Sequence, residues 1–349
     1  MSDPILVRIG LPLTGGSLVA HALARGLPVL MSANAFARRY PRGHQRAGSM
    51  RGFRTQLQHL RGLNCALDSA GFCATSIYRG FPWSVEQYVD LAASFPFAWW
   101  ASMDLCNEPE VAHDKATRML RLAETVRLYI SCCNAAARRG IGPPTPVLQG
   151  FEPAEYVTCA RMLPIESWPA LVGVGSMCRR NVHGPQGLLA VLEALDAELP
   201  SHVKLHVFGV KSGALSYLAR FFSHRVEATD SCAWDVAARA EFRTGRTMER
   251  RIAHMERWRT GQSIQQRRQV ELPPKSERQS GWPAGPATVR DIVGERLANQ
   301  ILDGVVTYND AVGALAVGGC WAQAFAAIHR LDATVHRSEI EAWLEEEAI

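Results

Sequence analysis

Two acidic segments of this chain carry residues that could act on a glycosidic bond. Leu67-Asp68-Ser69-Ala70-Gly71-Phe72 and Thr229-Asp230-Ser231-Cys232 each place an aspartate where an apolar stretch gives way to a loop. When a covalent glycosyl-enzyme intermediate forms and breaks down, one carboxylate attacks the sugar carbon and a second moves protons. A lone aspartate after a strand more often forms a turn or caps a helix. The interpretation therefore depends on the elements that position both side chains.

Short apolar runs alternate with helical patterns along the first two thirds of the chain. The predicted strands are Ile5 to Ile9, Pro28 to Ser32, Asn64 to Leu67, Ala98 to Met103, Pro146 to Gln149, Leu171 to Gly175, Val203 to Phe208 and Val226 to Thr229. The predicted helices are Ser84 to Ser94, Pro109 to Arg139, Pro153 to Leu163, Pro185 to Leu199 and Ser212 to Phe222. Eight strands joined by helical crossovers predict an α/β fold, a (β/α)8 TIM barrel, in which chemistry occurs at the carboxyl ends of the strands.

Composition indicates a globular protein with one large domain and an appendage. Of the 349 residues, 47% are hydrophobic and 20% are charged, which is enough apolar material for a sizeable core. We expect a catalytic barrel domain over residues 1–240 and a basic helical segment with a linker over residues 241–287. Residues 288–349 are expected to form a small helical C-terminal region, whose sequence says little about function.

Cysteine spacing and hydropathy bear on metal binding and location. The nine cysteines show no CxxC or CxC spacing, so neither a disulfide framework nor a cysteine-based zinc site is expected. We therefore predict no metal and no cofactor. The chain shows neither a charged start followed by a long apolar run nor 18 consecutive apolar residues. We expect a cytoplasmic protein without a membrane partner.

Arginines cluster in two stretches, although the net charge is only +5. The first stretch contains Arg38, Arg39, Arg42, Arg46, Arg51, Arg54 and Arg61 and no acidic residue. The second contains Arg243, Arg246, Arg250, Arg251, Arg257, Arg259, Arg267 and Arg268 against two glutamates. Guanidinium groups match phosphate oxygens in charge and geometry. A solvated helix face would give the same pattern, but two such stretches favour a nucleic-acid partner.

Five strand-end motifs, in barrel order, resemble the tRNA-guanine transglycosylase superfamily. The resemblance is to its DNA-modifying branch, the DpdA-like 7-deazaguanine DNA transglycosylases. Asp68 lies in a DSGGF-like element that has Ala70 in place of one glycine. The other four motifs are Ser102-Met103-Asp104-Leu105-Cys106, Val147-Leu148-Gln149-Gly150, Gly173-Val174-Gly175-Ser176-Met177 and Thr229-Asp230-Ser231-Cys232. The resemblance covers roughly residues 1 to 240, and Arg239 lies near a family arginine.

The resemblance implies a role for each motif. Asp230 would be the nucleophile that holds the sugar covalently, and Asp68 would be the general acid/base for the departing and entering bases. The residues implied to bind the base are Asp104, Gln149, Gly150, Gly175, Ser176, Met177 and Phe72. The implied reaction exchanges guanine in DNA for a 7-deazaguanine base such as 7-cyano-7-deazaguanine.

The chain departs from the tRNA-modifying members in one respect, and three other interpretations stay open. The cysteine-rich zinc element that follows the nucleophile strand in those members has no counterpart here, so we favour DNA over tRNA. The partners expected are DNA, the free 7-deazaguanine base and proteins of a DNA-modification system. The alternatives are a tRNA-guanine transglycosylase, a (β/α)8 glycoside hydrolase and a non-catalytic barrel that binds nucleic acid through its arginines.

Overall fold

The chain folds as an α/β protein in which parallel strands alternate with helices. The computed structural model describes residues 4–40, 45, 49–108, 114–178, 180–241 and 247–272. The strands are β1 (Leu6–Gly10), β2 (Val29–Ser32), β3 (Ala37–Arg39), β4 (Met50–Phe53), β5 (Cys65–Asp68), β6 (Val147–Leu148), β7 (Leu171–Val174), β8 (Lys204–Val207) and β9 (Val226–Ser231). The helices are α1 (Ser17–Ala24), α2 (Ala33–Phe36), α3 (Gly71–Ser76), α4 (Val85–Ala93), α5 (Lys115–Arg139), α6 (Pro153–Met162), α7 (Leu188–Glu198), α8 (Leu215–Phe221), α9 (Ala233–Glu241) and α10 (Met248–Gln266).

Seven strands form one curled, all-parallel sheet in the order β5-β2-β1-β9-β8-β7-β6. The eighth predicted strand, residues 98–103, is not a regular strand. It makes one parallel bridge to the β5 edge, Leu67 with Trp100, and one to the segment before β6, Ala101 with Thr145. The predicted strands therefore exist at their predicted places, except that this one is reduced to single bridges.

Local sequence signals account for the helix ends. Ser84 and Gln87 form a reciprocal capping box at the start of α4, and α6 begins with Pro153 in its first turn. Helix α5 is capped by Asp114 and ends at Gly140, whose φ of 64° suits glycine. The predicted start of α5 at Pro109 lies outside the described residues. The short hairpin of β3 and β4 after β2 was not predicted.

Helix α10 packs against the outside of the sheet's helical layer. It contacts α8 and α1, and its first turn is capped by Thr247. Residues 1–232 and 247–271 form one structural unit, and residues 233–246 with 272–349 form another. The basic segment predicted from sequence therefore contributes a helix to the first unit. In the second unit, the structure describes α9 and residue 272.

The inner face of the sheet carries polar as well as apolar side chains. Arg8 on β1 is buried, and its Nη1 donates to Oδ1 of Asn64 at 3.1 Å. Arg8 also lies opposite Asp230 in the register of β1 and β9. Burial lowers the pKa of Arg8, while nearby acidic groups including Asp230 oppose that shift. A polar interior of this kind is unusual in a hydrophobic core. The nearby strand ends are therefore candidates for a functional site.

Candidate active site

Asp68 ends β5 and has an environment suited to proton transfer. Ala70, two residues later, adopts a left-handed φ of 69°, and its backbone N–H donates to Oδ2 of Asp68 at 3.1 Å. Burial and, to a lesser extent, the negative charges of Asp104 and Asp230 together raise the pKa of Asp68 to about 7. A carboxyl group with this pKa can both give and take a proton near neutral pH.

Asp230 lies near the carboxyl end of β9, and Asp68 lies at the carboxyl end of β5. Oδ1 of Asp230 accepts hydrogen bonds from the backbone N–H of Gly209 at 3.1 Å and from Nε2 of His206 at 3.1 Å. Its charge contributes to the raised pKa of Asp68, so the two carboxyl groups share one electrostatic environment. The structure therefore places the two predicted catalytic aspartates close enough for their charges to interact.

Asp104, Gln149 and Ser176 form a buried hydrogen-bonded network beside Asp68, here called the Asp104 network. Oδ1 of Asp104 accepts from Oγ of Ser69 at 2.5 Å, and Oδ2 accepts from Nε2 of Gln149 at 2.5 Å. Oε1 of Gln149 in turn accepts from Oγ of Ser176 at 2.6 Å. Burial raises the pKa of Asp104 to about 6, although the bonds from Ser69 and Gln149 lower it. The Asp104 network joins the ends of β5, β6 and β7.

Two glycines allow the side chains of the Asp104 network to pack closely. A Cβ atom at Gly175 would lie 2.2 Å from Nε2 of Gln149, and a Cβ atom at Gly71 would lie 2.5 Å from the backbone oxygen of Asp104. Both distances are far below van der Waals contact, so any larger residue would displace the buried polar side chains. These glycines set the position of the acceptors.

The remaining predicted base-binding residues have more varied surroundings. Met177 is buried and follows Ser176, which has a positive φ of 56°. Phe72 lies on α3 with 37% of its surface exposed. Gly150 is packed against α6, since a Cβ atom there would lie 2.9 Å from the backbone nitrogen of Tyr156. Gly150 therefore shapes the loop after β6 through its backbone.

Sequence reasoning missed Arg180, which ties two strand-end loops together. Its guanidinium donates to the backbone oxygens of Phe151 at 2.7 Å, Ser176 at 3.1 Å and Gly150 at 3.2 Å. It also donates to the hydroxyl of Tyr156 at 3.1 Å. No carboxylate of the described residues pairs with it. Among many arginines, nothing in the sequence distinguishes this one.

Sequence reasoning also missed His206, whose side chain is fully buried on β8 beside Asp230. The only signal was a histidine within an apolar strand that precedes the predicted nucleophile strand.

The predicted phosphate-binding arginines fall into four groups. Arg38, Arg39, Arg51 and Arg54 lie exposed on or beside the β3–β4 hairpin. Arg250 is exposed on α10, whereas Arg251 is only 6% exposed and does not present its guanidinium to solvent. Arg239 pairs with Asp235 on α9. Arg42, Arg46, Arg243 and Arg246 lie outside the described residues.

The hairpin is attached to loops at the site end of the sheet. Arg39 donates to the hydroxyl of Tyr78, which itself donates to Oδ1 of Asn34 at 2.8 Å. Nη1 of Arg54 lies 3.5 Å from Oγ1 of Thr14, in the loop after β1. Asn34 and Thr14 both follow carboxyl ends of strands, so the exposed hairpin arginines lie on the side that carries Asp68.

Within the residues that the structure describes, no cluster of three or more His, Cys, Asp or Glu side chains could hold a metal ion. No described helix is both long enough and apolar enough to cross a bilayer.

Comparison with protein families gives a match over most of the described chain. A family model described as DpdA, DeoxyPurine in DNA protein A, matches residues 43–271. This span contains Asp68, Asp230, the Asp104 network and α10. No curated protein matches the chain.

Proposed function

Because the chain belongs to the DpdA family, we propose that it exchanges guanine in DNA for a 7-deazaguanine base through a covalent aspartyl-sugar intermediate. Family membership implies a role in 7-deazapurine modification of DNA, within a Dpd modification system. The observation that carries the finer proposal is that the charges of the two carboxyl groups interact, since Asp230 contributes to the rise of the Asp68 pKa to about 7.

In the first half of the proposed reaction, Asp230 attacks C1′ of the target deoxynucleotide. The bond between C1′ and N9 of guanine breaks, and its electron pair leaves with the base. Asp68 gives its proton to the departing guanine. The product is a covalent ester between Asp230 and C1′.

In the second half, the 7-deazaguanine base enters the space that guanine vacated. Asp68, now a carboxylate, accepts the proton from N9 of the entering base as that nitrogen attacks C1′. The ester bond to Asp230 breaks and both carboxyl groups return to their starting states. No external acid, base or metal is needed for this balance.

The Asp104 network is proposed to bind the base. Asp104 and Gln149 offer acceptors and a donor to the amide and amino edge of a guanine-like base. Their buried positions favour a flat, polar ligand that replaces the hydrogen bonds they make to each other. Gly175 and Gly71 keep this area free of Cβ atoms.

A closed barrel would place the two aspartates across one opening. We infer that residues 98–102 act as the eighth strand, because Ala101 donates its backbone N–H to Leu67 and Thr145 donates to Trp100. These bonds link β5 to the segment before β6, the two edges of the seven-stranded sheet. The catalytic site would then lie at the carboxyl end of a (β/α)8 barrel.

DNA is the proposed polymer, and the hairpin arginines are proposed to hold its backbone. A base in a duplex is stacked and paired, so the target nucleotide has to leave the helix before C1′ can be attacked. Arg38, Arg51 and Arg54 lie on the site side of the sheet, and no carboxylate among the described residues pairs with them. They are therefore available to phosphates.

The test is base exchange by purified protein, followed with labelled guanine in DNA and in tRNA. Asp230→Asn should lower exchange at least about a thousandfold and abolish the covalent adduct. Asp90→Asn is the matched control, since Asp90 is an exposed acid on α4 that pairs with Arg139. Wild-type exchange by Asp230→Asn would refute the nucleophile. Exchange into tRNA alone would favour the RNA enzyme, and exchange into neither polymer would favour a non-catalytic barrel.

Mass spectrometry of nucleosides from cells with and without the gene would identify the polymer and the base. A 7-deazaguanine deoxynucleoside that depends on the protein supports the proposal. A change confined to tRNA contradicts it.

A further inference from the structure

We propose that His206 is a positioning residue that holds one oxygen of Asp230 and thereby directs the other oxygen at C1′. This inference rests on the proposed function, since it concerns how the proposed nucleophile is presented. The contact itself is independent of that function: Nε2 of His206 lies 3.1 Å from Oδ1 of Asp230.

The imidazole ring is held on two sides by aromatic side chains. Its side chain has 0% exposure. The ring centroid lies 4.8 Å from that of Trp99 at an interplanar angle of 60°, and 4.6 Å from that of Phe208 at 72°. A ring packed in this way cannot turn freely about its side-chain bonds, so the direction of its Nε2 is fixed.

The contacts of the ring nitrogens assign the tautomer. Nδ1 is buried and has no hydrogen-bond partner among the described residues. Nε2 faces a carboxylate oxygen, which can only accept. The proton therefore belongs on Nε2, and His206 donates to Asp230. A buried nitrogen without a partner destabilises a fold, so any favourable contribution of this imidazole to polar contacts comes from its other nitrogen, Nε2.

The two donors to Asp230 act on the same oxygen. Gly209, in the loop after β8, donates its backbone N–H to Oδ1 at 3.1 Å, as His206 does from within β8. No described residue donates to Oδ2. A carboxylate held by one oxygen from two directions keeps the second oxygen in one orientation, which is what nucleophilic attack on a single carbon requires.

A second charged side chain, Arg8, lies over the Trp99 ring. Its guanidinium carbon is 5.7 Å from the centroid of the Trp99 ring, which also contacts His206. The charge of Arg8 interacts with that of Asp230. Arg8 supplies the positive charge on this side of Asp230, and His206 supplies the directed hydrogen bond.

The first test compares two substitutions at His206. In His206→Gln the amide nitrogen replaces the Nε2 donor, whereas His206→Leu fills the space without a donor. We expect His206→Leu to lower kcat and the rate of covalent adduct formation about 10- to 100-fold, with KM for the base changed less than about twofold. His206→Gln should recover most of that loss. A residue needed only for packing would not show this rescue.

His224→Leu is the matched control. His224 also contacts an aspartate, Asp196, at 3.2 Å, but it is exposed and precedes β9. We expect its kcat to equal that of the wild type. Wild-type kcat in His206→Leu would overturn the proposal, as would equal losses in His206→Gln and His206→Leu.

The second test does not depend on activity. Nitrogen-15 NMR of the histidine side chains, with His206 assigned by comparison with His206→Gln, should show the tautomer protonated on Nε2. The signal should shift in Asp230→Ala. An Nδ1-protonated ring, or no response to Asp230→Ala, would overturn the contact. If the NMR result is as expected and the wild type has no exchange activity, the proposed function fails while the contact stands. If His206→Leu does not fold, His206→Gln and NMR decide the matter.

Discussion

At the scale of single residues, the environment of Asp68 gives it a task that a surface aspartate could not perform. Its neighbours are a buried carboxyl group, Asp104, and the proposed nucleophile Asp230, and both raise its pKa. The backbone N–H of Ala70 opposes them, since it stabilises the carboxylate. The result is a group that changes its protonation near pH 7.

The pH dependence of the two half-reactions follows from the role of Asp68. Covalent adduct formation needs Asp68 protonated, so its single-turnover rate should fall as the pH rises through about 7. Incorporation of the free base needs Asp68 ionised, so its rate should rise over the same range. Rapid-quench measurements of each half-reaction between pH 5 and pH 9 would check both slopes. Parallel profiles would contradict the assignment.

Stability should show the same carboxyl group with a defined sign. The pKa of Asp68 is about 7 in the folded protein against an ordinary value of 3.8. Asp68 thus stabilises the fold fully below about pH 4, and this contribution is lost as the pH rises through 7. One pKa unit corresponds to about 1.4 kcal/mol. The difference in the free energy of unfolding, Asp68→Asn minus wild type, should therefore be larger at pH 8 than at pH 5 by at least about 1 kcal/mol.

Urea unfolding of the wild type and of Asp68→Asn at the two pH values measures this difference. Asp90→Asn serves as the control, because Asp90 is an exposed acid on α4 that pairs with Arg139. Equal pH dependence in the wild type and Asp68→Asn would show that Asp68 titrates alike in the folded and unfolded states.

At the scale of elements, the site depends on loops that are fastened to each other as well as to the sheet. Arg180, in the loop after β7, donates to Phe151 and Gly150 in the loop after β6 and to Tyr156 on α6. Its planar group with several donors can reach all these acceptors at once. Gln149 and Ser176, which are proposed to bind the base, lie in these same two loops.

Replacing Arg180 by Gln should loosen both loops. We expect a stability loss of about 1–3 kcal/mol and an increase in KM for the free base of about tenfold, because Gln149 and Ser176 lose their alignment. Calorimetry and steady-state kinetics would measure the two effects. Arg161→Gln is the control, since Arg161 on α6 is exposed and pairs with Glu198. An unchanged KM in Arg180→Gln would limit Arg180 to a structural role.

At the scale of the whole molecule, the distribution of charge separates arginines that have acidic partners from those that do not. Exposed arginines on the outer helices pair with acids, as Arg127 does with Glu124 and Arg138 with Glu86. Arg38, Arg51 and Arg54 at the hairpin have no such partner among the described residues. Unpaired guanidinium groups on the site side favour phosphate binding there.

DNA affinity should therefore depend on salt through the hairpin. Replacing Arg38, Arg51 and Arg54 together by Gln should reduce the slope of log affinity against log salt by about two to three. The control replaces three exposed, ion-paired arginines, Arg127, Arg138 and Arg161, and should leave the slope near that of the wild type. Fluorescence anisotropy over a range of salt concentrations measures both. Equal slopes in the two triple variants would contradict a phosphate-binding hairpin.

Much of the strand layout was predictable from the sequence, because each strand is a short apolar run bounded by a turn or helix start. Seven predicted strands coincide with strands of the sheet within one or two residues. Residues 98–103 were harder, since their pairing consists of isolated bridges that no local pattern encodes. The β3–β4 hairpin was missed because its strands have only three and four residues, and arginines interrupt their apolar residues.

By itself, the sequence determined where two of the aspartates lie on strands, and a strand end is a local property of the chain. Asp68 ends β5 and Asp230 is the last residue but one of β9, whereas Asp104 follows residues 98–103, which form only isolated bridges. Only the tertiary structure decided what surrounds them, because burial and charge proximity arise between segments far apart in the chain. The raised pKa of Asp68, the contact of His206 with Asp230 and the bonds of Arg180 all join residues from different strands or loops.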